Sequence, residues 1–399
     1  MAGIDVNAYS IPTHALTRHA MMEHVKHMPL LDDPRLFGLD VNANITCQLQ
    51  ESNELMETIL ALSGGNSSND TEENGNAVME TLGNNILHMF PGEINREEAH
   101  PDTFANDSTG GQPALAVVLT WEVIRFNKLI GVVRTSTMEL LKAIQGLVVM
   151  STELEIASRD LNYQKVPMMW EAAAYPSLKP LGSWLTDLEQ RIDFVDGWMR
   201  DSRATASFWI SGFYFPQGFI TGVKQQYARK TLIAIDRLKI RAHVSRNEEN
   251  QHSHVDLPQN APPHGVYIHG LYLQGAHWDQ HNQSTPNTVT VQGSNGGSTM
   301  QFGGCLTDAL PRVLFESMPA MWLEPYDDDT SGGGGGGGSV DDCHHYFCPI
   351  YKTTTRAGQL STTGHSTNFI MPLDLAFDTH YEASHWVRRG VALIAQLDN

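Results

Sequence analysis

Apolar residues between positions 113 and 150 recur at steps of three and four. This spacing lines them up on one side of an α-helix and predicts an amphipathic helix that buries that side. Glu122 with Arg125, and Glu139 with Lys142, lie one turn apart and give the helix weak local support. The apolar positions are Leu115, Val118, Leu119, Val123, Phe126, Ile130, Val133, Leu140, Leu141, Ile144, Leu147 and Val148.

Two further helices are predicted downstream. One begins after Pro180 with Ser183 as its N-cap, because a serine hydroxyl can accept a hydrogen bond from a free N–H of the first turn. The other begins at Pro216, whose fixed φ suits the first helical position. Their predicted buried faces are Trp184, Leu188, Ile192, Val195, Trp198 and Met199 in the first helix, and Phe219, Ile220, Val223 and Tyr227 in the second. The first 230 residues are therefore expected to be mostly helical.

After Ile235 the pattern becomes strand-like. Residues 265–273, 347–353, 368–371 and 390–397 form short runs rich in β-branched or aromatic residues, bounded by Gly, Pro or Asp. Several runs are apolar on both alternating faces, which suits a small closed or half-closed barrel packed against another layer. The predicted fold class is α+β, a helical bundle followed by a small β-barrel-like domain.

Three polar stretches interrupt this framework, at 63–112, 279–300 and 327–342. The first is rich in Gly, Ser, Asn and acidic residues, the second is a long polar loop, and the last combines a run of three aspartates with seven consecutive glycines, 332–338. Such compositions bury too little apolar area to offset chain entropy. We interpret all three as solvated insertions without a fixed conformation. Within the first, the apolar piece 86–90 is expected to dock locally.

The charge balance excludes some partners. The protein has 399 residues, with 26 Lys and Arg against 45 Asp and Glu, a formal net charge of −19. A nucleic-acid binder needs a basic face to neutralise phosphates, and an anionic membrane repels an acidic protein, so neither partner is predicted. Four cysteines are too few for a disulfide scaffold, and neither a signal segment nor an apolar run of about 18 residues occurs. We expect a soluble, acidic, intracellular protein.

Motifs for nucleotide and ester chemistry are missing or incomplete. A P-loop needs a Gly-Lys pair to hold phosphates, and the sequence has none, while residues 212–218 indicate a tight turn before a helix. A serine nucleophile elbow needs G-x-S-x-G, and in residues 364–368 Asn368 replaces the last glycine. No catalytic residue and no cofactor site are predicted.

A metal site is the third chemical alternative. Cys343, His344, His345 and Cys348 offer thiolate and imidazole ligands, but a structural zinc site needs a second ligand pair, and the other cysteines are single and distant. A flexible insertion is the favoured interpretation, and no metal ligand is predicted. The tryptophans fall in apolar contexts and are expected to pack in the core rather than form a ligand-stacking surface: Trp170, Trp184, Trp198, Trp209, Trp278, Trp322 and Trp386. The residues alone therefore indicate a scaffold or interaction protein.

A family resemblance rests on several blocks in a fixed order. Residues 208–223 (FWISGFYFPQGFITGV), continued by 226–230 and 235–236, closely resemble the C-terminal region of dynein heavy chains. The other matching blocks are 37–39 with 42–45, 175–184, 265–273 with 275–276 and 278–279, and 360–369 with 385–387 and 389–393. The ending, with LSTTGHSTNF at 360–369, resembles the axonemal branch.

The resemblance implies a place in a motor. In this family the region follows the last AAA+ module of a six-module ring and lies against one face of it, as a helical bundle and then a small β-barrel. The family couples ATP hydrolysis to minus-end-directed stepping on microtubules, with its ATP and magnesium sites and its microtubule-binding stalk upstream. The implied domains are 1–45, the end of the last module's helical lid; 46–236, the helical subdomain; and 237–399, the β-barrel-like subdomain.

The preferred hypothesis is the C-terminal part of an axonemal dynein heavy chain, a fragment or split polypeptide that braces and regulates the ring without being an enzyme itself. Its expected partners are that ring, dynein intermediate and light chains, and microtubules through the full motor. Its expected location is the cytoskeleton of the cytoplasm and the axoneme of cilia or flagella. The alternatives are a stand-alone adaptor that binds a partner through its helical face, and a metal-dependent enzyme. The sequence leaves open the inner or outer arm, whether Met1 is the true start, the surface that meets the ring, and the structure of the insertions.

Overall fold

The computed structural model describes residues 17–26, 45, 47–49, 51–52, 55–56, 72–90, 92–106, 110–201, 207–246, 262–280, 289–291, 300–308, 314–327, 345–360, 367–378 and 380–398. The protein divides into two compact units. One comprises Met1–Gly65 with Glu382–Val391, and the other comprises Asn66–Tyr381 with Ala392–Asn399.

Helices dominate the described part of the sequence before residue 232. They are α1 (Arg18–Lys26), α2 (Glu72–Met89), α3 (Ala114–Ile144), α4 (Thr152–Asn162), α5 (Met168–Glu171), α6 (Leu181–Arg200), α7 (Pro216–Thr231) and, near the end, α8 (Ala383–Arg388). α1 and α8 belong to the first unit, and the others belong to the second. No described helix has the length and apolar character needed to span a bilayer.

The long helix α3 is the centre of the helical layer and packs against α2, α4, α5, α6 and α7. It starts directly after Pro113, and the predicted apolar side is buried at Leu119, Phe126 and Val133. The helix ends earlier than predicted, at Ile144, and Leu147 and Val148 lie exposed beyond it. Gly146, with φ +74°, ends the helix because that left-handed conformation suits a residue without a Cβ.

The prediction that residues 63–112 lack fixed structure is wrong for much of this stretch. α2 covers Glu72–Met89, and Met79, Ile86 and Phe90 are buried. These positions lie seven and four residues apart, so they form one stripe against α3, which the average composition of a 50-residue window conceals. The Asn127 side chain of α3 then exchanges two hydrogen bonds with the Ile94 backbone, at 2.8 and 3.0 Å.

The two downstream helices are confirmed with one correction. Pro216 is the first residue of α7, as predicted. In α6 the capping position falls at Pro180 instead of Ser183, so the serine prediction is wrong and Ser183 lies inside the first turn. Most of the predicted face of α6 is buried, but Ile192 is only partly buried, and Arg191 and Asp187 take buried positions.

The strands are short and form several sheets. They are β1 (Ser207–Trp209), β2 (Leu238–Val244), β3 (Val266–His269), β4 (Tyr272–Gln274), β5 (His277–Asp279), β6 (Val289–Val291), β7 (Met300–Phe302), β8 (Cys305–Thr307), β9 (Phe315–Ser317), β10 (Met321–Asp327), β11 (His345–Tyr351), β12 (Phe369–Ala376) and β13 (Ala392–Ile394). The sheet orders are β1-β3-β10-β2, β12-β11-β13-β4-β9, β5-β8 and β6-β7.

The α+β class is confirmed, whereas the barrel is not. Among the described strands no sheet closes on itself, although β2 contacts β12 and single bridges join Ser245 to Phe302 and Leu306 to Phe377. The barrel-like description and the domain boundaries at 45/46 and 236/237 stay predictions. The described strand β1 precedes α7 and pairs in parallel with β3, so the helical half of the sequence contributes an edge to a sheet.

The prediction of loops without a fixed conformation at 279–300 and 327–342 is tested only in part. Within 279–300, Val289–Val291 pairs with Met300–Phe302, so part of the predicted loop is an antiparallel ladder. For 327–342, Asp327 is the last residue of β10 and binds Arg237 in a two-pronged contact of 2.8 and 3.2 Å. Residues 328–342 lie outside the described residues.

Candidate functional site

The candidate serine and metal motifs do not assemble into a site among the described residues. Residues 364–366, Cys343 and His344 lie outside the part that the structure describes. Asn368 is buried, and its side-chain amide binds the backbone of residues 353–357. The amide oxygen accepts from the Thr353 N–H at 2.9 Å, and the amide nitrogen donates to the Ala357 carbonyl at 2.7 Å. Its role in the described structure is to fix a turn.

The described half of the metal motif is poorly suited to a metal. His345 and Cys348 lie three residues apart on β11 and therefore on opposite faces. Burial raises the pKa of the Cys348 thiol, which disfavours the thiolate that a metal requires. His345 Nδ1 lies 3.1 Å from Asp374 Oδ1. Within the described residues, no group of three His, Cys, Asp or Glu side chains is placed to hold a metal ion.

The glycine-containing run 212–218 is a tight turn, as predicted. Ile210–Gly212 forms one 3₁₀ turn, and α7 follows at Pro216. A Cβ on Gly212 would lie 2.6 Å from the Trp209 ring and 2.8 Å from the Phe194 ring. The backbone at Gly212 therefore passes close to two aromatic rings, which favours a residue without a side chain.

Most of the tryptophans predicted to lie in the core are buried. Trp170 and Trp184 stack at 5.8 Å between ring centroids, and the Trp170 indole N–H donates to the Ser136 hydroxyl at 2.8 Å. Trp121, which the pattern did not single out, is 54% exposed on α3. The remaining predicted core positions are Trp198, Trp278, Trp322 and Trp386, which are buried, and Trp209, which is partly buried.

The described residues include a buried polar network, which we call the Arg191 network: Tyr175, Lys179, Asp187, Arg191, Ser211 and Gln396. Its centre is an ion pair one turn apart on α6, with Arg191 Nε 2.6 Å from Asp187 Oδ2. Both side chains are almost fully buried, at 2% and 3% exposure. A buried charge of this kind is tolerated only when it is paired and fully hydrogen-bonded.

Two more groups complete the shell of Asp187. The Tyr175 hydroxyl donates to Oδ2 at 2.8 Å, and the Lys179 ammonium donates to Oδ1 at 3.0 Å. Burial opposes ionisation of Asp187, but Arg191 and Lys179 outweigh it, and the pKa of the carboxyl falls below its ordinary value. Burial also raises the pKa of Tyr175, so the phenol stays protonated and acts as a donor. The Arg191 guanidinium lies 3.8 Å over the Tyr175 ring.

The outer face of Arg191 reaches the β part and the C-terminal segment. Its Nη1 donates to the Ser211 carbonyl, and its Nη2 lies 3.4 Å from Gln396 Oε1. The Gln396 amide nitrogen in turn donates to the Ser177 hydroxyl at 2.7 Å. One guanidinium therefore links α6, the turn before α7 and the segment after β13.

Ser211 extends the network to two carbonyls. Its hydroxyl lies within hydrogen-bond distance of the Gly270 carbonyl, at 2.7 Å, and of the Ala395 carbonyl. A hydroxyl has one proton, so it donates to one of these carbonyls at a time. Gly270 has φ +86°, and a Cβ there would lie 2.4 Å from the Trp209 ring. This position therefore requires glycine.

A second buried carboxylate stands beside the network. Glu122 of α3 is fully buried and accepts from the backbone N–H of Tyr214 at 2.5 Å and of Phe215 at 3.1 Å. These N–H groups precede α7, so the carboxylate lies at the positive end of that helix. Burial raises the pKa of Glu122, although the two N–H groups and Arg125 favour its charged form.

This arrangement suits mechanical coupling better than catalysis. The polar groups of the ion pair are taken up by one another and by Tyr175, Lys179, Ser211 and Gln396. The adjoining cleft, lined in part by Tyr175, Arg191, Tyr214 and Lys352, has an internal space of only about 10 Å³, roughly that of one water. The sequence carried one signal for this network: Asp187 and Arg191 occupy the predicted apolar side of α6, where unpaired charges are not tolerated.

Comparison with known families covers nearly the whole sequence. The family model of the C-terminal domain of the dynein heavy chain matches residues 49–289 and 295–395. It runs without a break through 63–112, which agrees with the ordered α2.

Individual relatives give the same result. The protein is 39% identical to human (Homo sapiens) dynein axonemal heavy chain 1 over 387 residues, which is 97% of this sequence and 8% of the relative. It is 38% identical to mouse (Mus musculus) dynein axonemal heavy chain 3, over 98% of this sequence and 8% of the relative. It is 37% identical to mouse dynein axonemal heavy chain 12, over 95% of this sequence and 11% of the relative. The protein thus spans about a tenth of the length of these relatives. It belongs to the family of dynein heavy chains, as a C-terminal region of the axonemal type.

Proposed function

We propose that this protein works as the C-terminal region of an ATP-driven, minus-end-directed microtubule motor that moves cilia or flagella. In this proposal it braces and regulates the AAA+ ring and does not hydrolyse ATP itself. ATP and magnesium bind in the upstream modules, and intermediate chains, light chains and microtubules are partners of the complete motor. The axoneme is its location in the cytoskeleton. The family match supports the motor assignment, and the predicted barrel-like form belongs to the same proposal.

The observation that carries the bracing role is the Arg191 network. It joins α6, the turn before α7 and the segment after β13 through buried charge-assisted hydrogen bonds. Such bonds hold their partners strongly because the alternative is an unpaired buried charge. A part held together this way can transmit force between helices and strands.

The test compares two arginines of the same helix in the complete motor. Arg191→Met removes the centre of the network, whereas Arg200→Met removes an exposed arginine that pairs with Asp196 and Glu98. We expect Arg191→Met to slow microtubule gliding or to uncouple it from ATP turnover, and Arg200→Met to have little effect. Gliding and turnover that are unchanged in both variants would contradict the bracing role.

The isolated protein provides a second test. We expect no ATP turnover above background, with or without microtubules. Substantial microtubule-stimulated turnover by these 399 residues alone would contradict the proposal that catalysis lies upstream.

The adaptor alternative has one observation in its favour. Trp121 and Ile124 lie one turn apart on α3 and are 54% and 51% exposed, an apolar pair that a partner could cover. An adaptor has to be soluble and monomeric by itself. Sedimentation of the isolated protein distinguishes the adaptor from a part of the dynein motor, because aggregation that upstream modules relieve would exclude a stand-alone adaptor.

The metal-dependent enzyme has its own test: purification of the protein without stoichiometric metal would exclude it.

A further inference from the structure

Leu232 combines an unusual backbone conformation with an exposed side chain. It caps α7 at the C-terminal end with φ +60° and ψ +29°, in the left-handed region that favours glycine. Its N–H donates to the Ala228 carbonyl at 2.8 Å, as a cap requires. Its side chain is 91% exposed. The leucine therefore strains the backbone without burying its own apolar surface, and the stability of the fold gives no reason for it.

The chain on both sides of Leu232 is held in place. The Thr231 hydroxyl donates to the Tyr227 carbonyl at 2.8 Å within the last turn of α7. The 3₁₀ turn Ile235–Arg237 contacts the same helix and leads into β2. Leu232 is therefore presented from a fixed corner between a helix and a strand.

This corner is basic although the protein as a whole is acidic. Residues 224–241 contain six basic residues and one acidic residue, whereas the whole protein has a formal net charge of −19. Four of the basic residues are exposed: Arg229, Lys230, Arg237 and Lys239. We call these four residues together with Leu232 the Leu232 surface.

Two carboxylates of β10 face the strand side of this surface. Asp327 binds Arg237 at 2.8 and 3.2 Å, and Glu324 lies opposite Arg241 in the antiparallel ladder. Together with the exposed Asp236 they balance part of the positive charge, and the two basic residues in the last turn of α7 add to what remains.

The basic residues of α7 have an ordinary explanation, whereas Leu232 does not. Arg229 and Lys230 lie in the last helical turn, where a positive charge complements the negative end of the helix dipole. Arg229 also donates to the Gln112 carbonyl at 2.7 Å. Neither effect needs an exposed leucine in a left-handed conformation directly after the helix. A strained residue that the fold does not require points to a role in recognition.

We propose that the Leu232 surface docks an acidic peptide segment that carries an apolar side chain. The leucine provides an apolar anchor, and the flanking cations attract carboxylates. Because the rest of the protein is acidic and repels such a peptide, binding is directed to this surface. A nucleic acid or an anionic membrane needs a broader basic face than one corner of an acidic protein provides.

The test uses the 399-residue protein and a fluorescent peptide of about 12 residues with the repeat Glu-Glu-Leu. Fluorescence anisotropy measures binding. We expect Leu232→Gly to weaken binding about tenfold because the anchor is lost. The same change is expected not to lower the urea midpoint, since glycine suits the left-handed conformation. The double variant Arg229→Gln, Lys230→Gln is expected to weaken binding by a similar factor and to reduce its dependence on salt.

Matched controls remove the same kinds of side chain elsewhere. Leu360 is 74% exposed, so Leu360→Gly removes an exposed leucine outside the Leu232 surface. Arg159 and Lys165 are exposed, and the double variant Arg159→Gln, Lys165→Gln removes two positive charges outside it. We expect both controls to bind the peptide as the parent protein does.

Further probes identify the class of ligand. A peptide with the repeat Glu-Glu-Ser has the same charge without the apolar side chain, and we expect it to bind more weakly. Four results would each overturn the proposal. They are no binding of the Glu-Glu-Leu peptide to the parent protein, unchanged binding in Leu232→Gly, an equal loss in the controls, and tighter binding of a single-stranded oligonucleotide or of phosphatidylserine vesicles.

Discussion

Arg191 occupies a buried position on the inner face of α6, where an apolar side chain would be expected. The groups packed around it make a buried guanidinium stable. The guanidinium has a carboxylate, backbone carbonyls, an amide oxygen and an aromatic ring within reach. Each partner compensates part of the cost of removing the charge from water. Removing one partner of such a pair is costly, because the other charge stays buried without compensation.

At the residue scale we therefore expect Arg191→Met to lower the free energy of unfolding by about 3 to 5 kcal/mol. Chemical denaturation with urea measures this difference. Arg200→Met serves as the control on the same helix, and we expect its denaturation midpoint to stay close to that of the parent protein because Arg200 is exposed. Equal shifts in the two variants would show that the buried pair has no special role.

At the element scale, α2 shows how far composition can mislead. Its sequence is rich in Asn, Gly and acid, yet Met79 and Ile86, with Phe90 just beyond the helix, form an apolar stripe on α3. Gly83 lies against Leu141, where a Cβ would come within 2.9 Å of the leucine side chain. A few correctly spaced apolar residues and one small residue are enough to dock a helix.

This gives a direct test of α2. Ile86 is fully buried, and we expect Ile86→Ala to destabilise the protein by about 2 to 4 kcal/mol, because the substitution leaves a cavity. Leu147→Ala is the control, since Leu147 is 71% exposed. The measurement is again the urea midpoint. An Ile86→Ala variant as stable as the Leu147→Ala variant would restore the view of 63–112 as a solvated insertion.

At the scale of the whole molecule, buried carboxylates make stability depend on pH in opposite directions. The pKa of Asp187 is lowered when the protein folds, so its stabilising contribution is present above the unfolded pKa, near 3.8, and is lost as pH falls through the lower folded value. The pKa of Glu122 is raised, so its contribution is largest below the ordinary value of 4.5 and is lost as pH rises through the folded value.

The Asp187→Asn variant isolates one of these effects. We expect it to be clearly less stable than the parent protein at pH of about 7. The difference shrinks as pH falls below about 4, because the parent carboxylate then takes up a proton in the unfolded state and, at its lower pKa, in the folded state. Thermal melts across this range and down to pH of about 3 measure the difference. A difference that stays constant over the whole range would mean that Asp187 acts through shape and hydrogen bonding alone.

Local patterns determined part of this protein by themselves. The apolar period of α3, the start of α7 at Pro216 and the change from helices to strands were readable because period and backbone restriction act within a few residues. The ordered blocks around residues 208–223 also identified the family, which the comparison confirmed. The N-cap at Ser183 failed because the helix starts earlier, at Leu181 behind Pro180, and nothing local distinguishes these starts.

Only the tertiary structure decided the Arg191 network and the exposure of Leu232. Arg191 meets Gln396 across 205 residues of sequence, and Leu232 is exposed at the position where α7 ends. A buried charge is stable only when all its partners arrive together. Since those partners come from distant positions, no window of the sequence contains the information, and the fold alone brings them into contact.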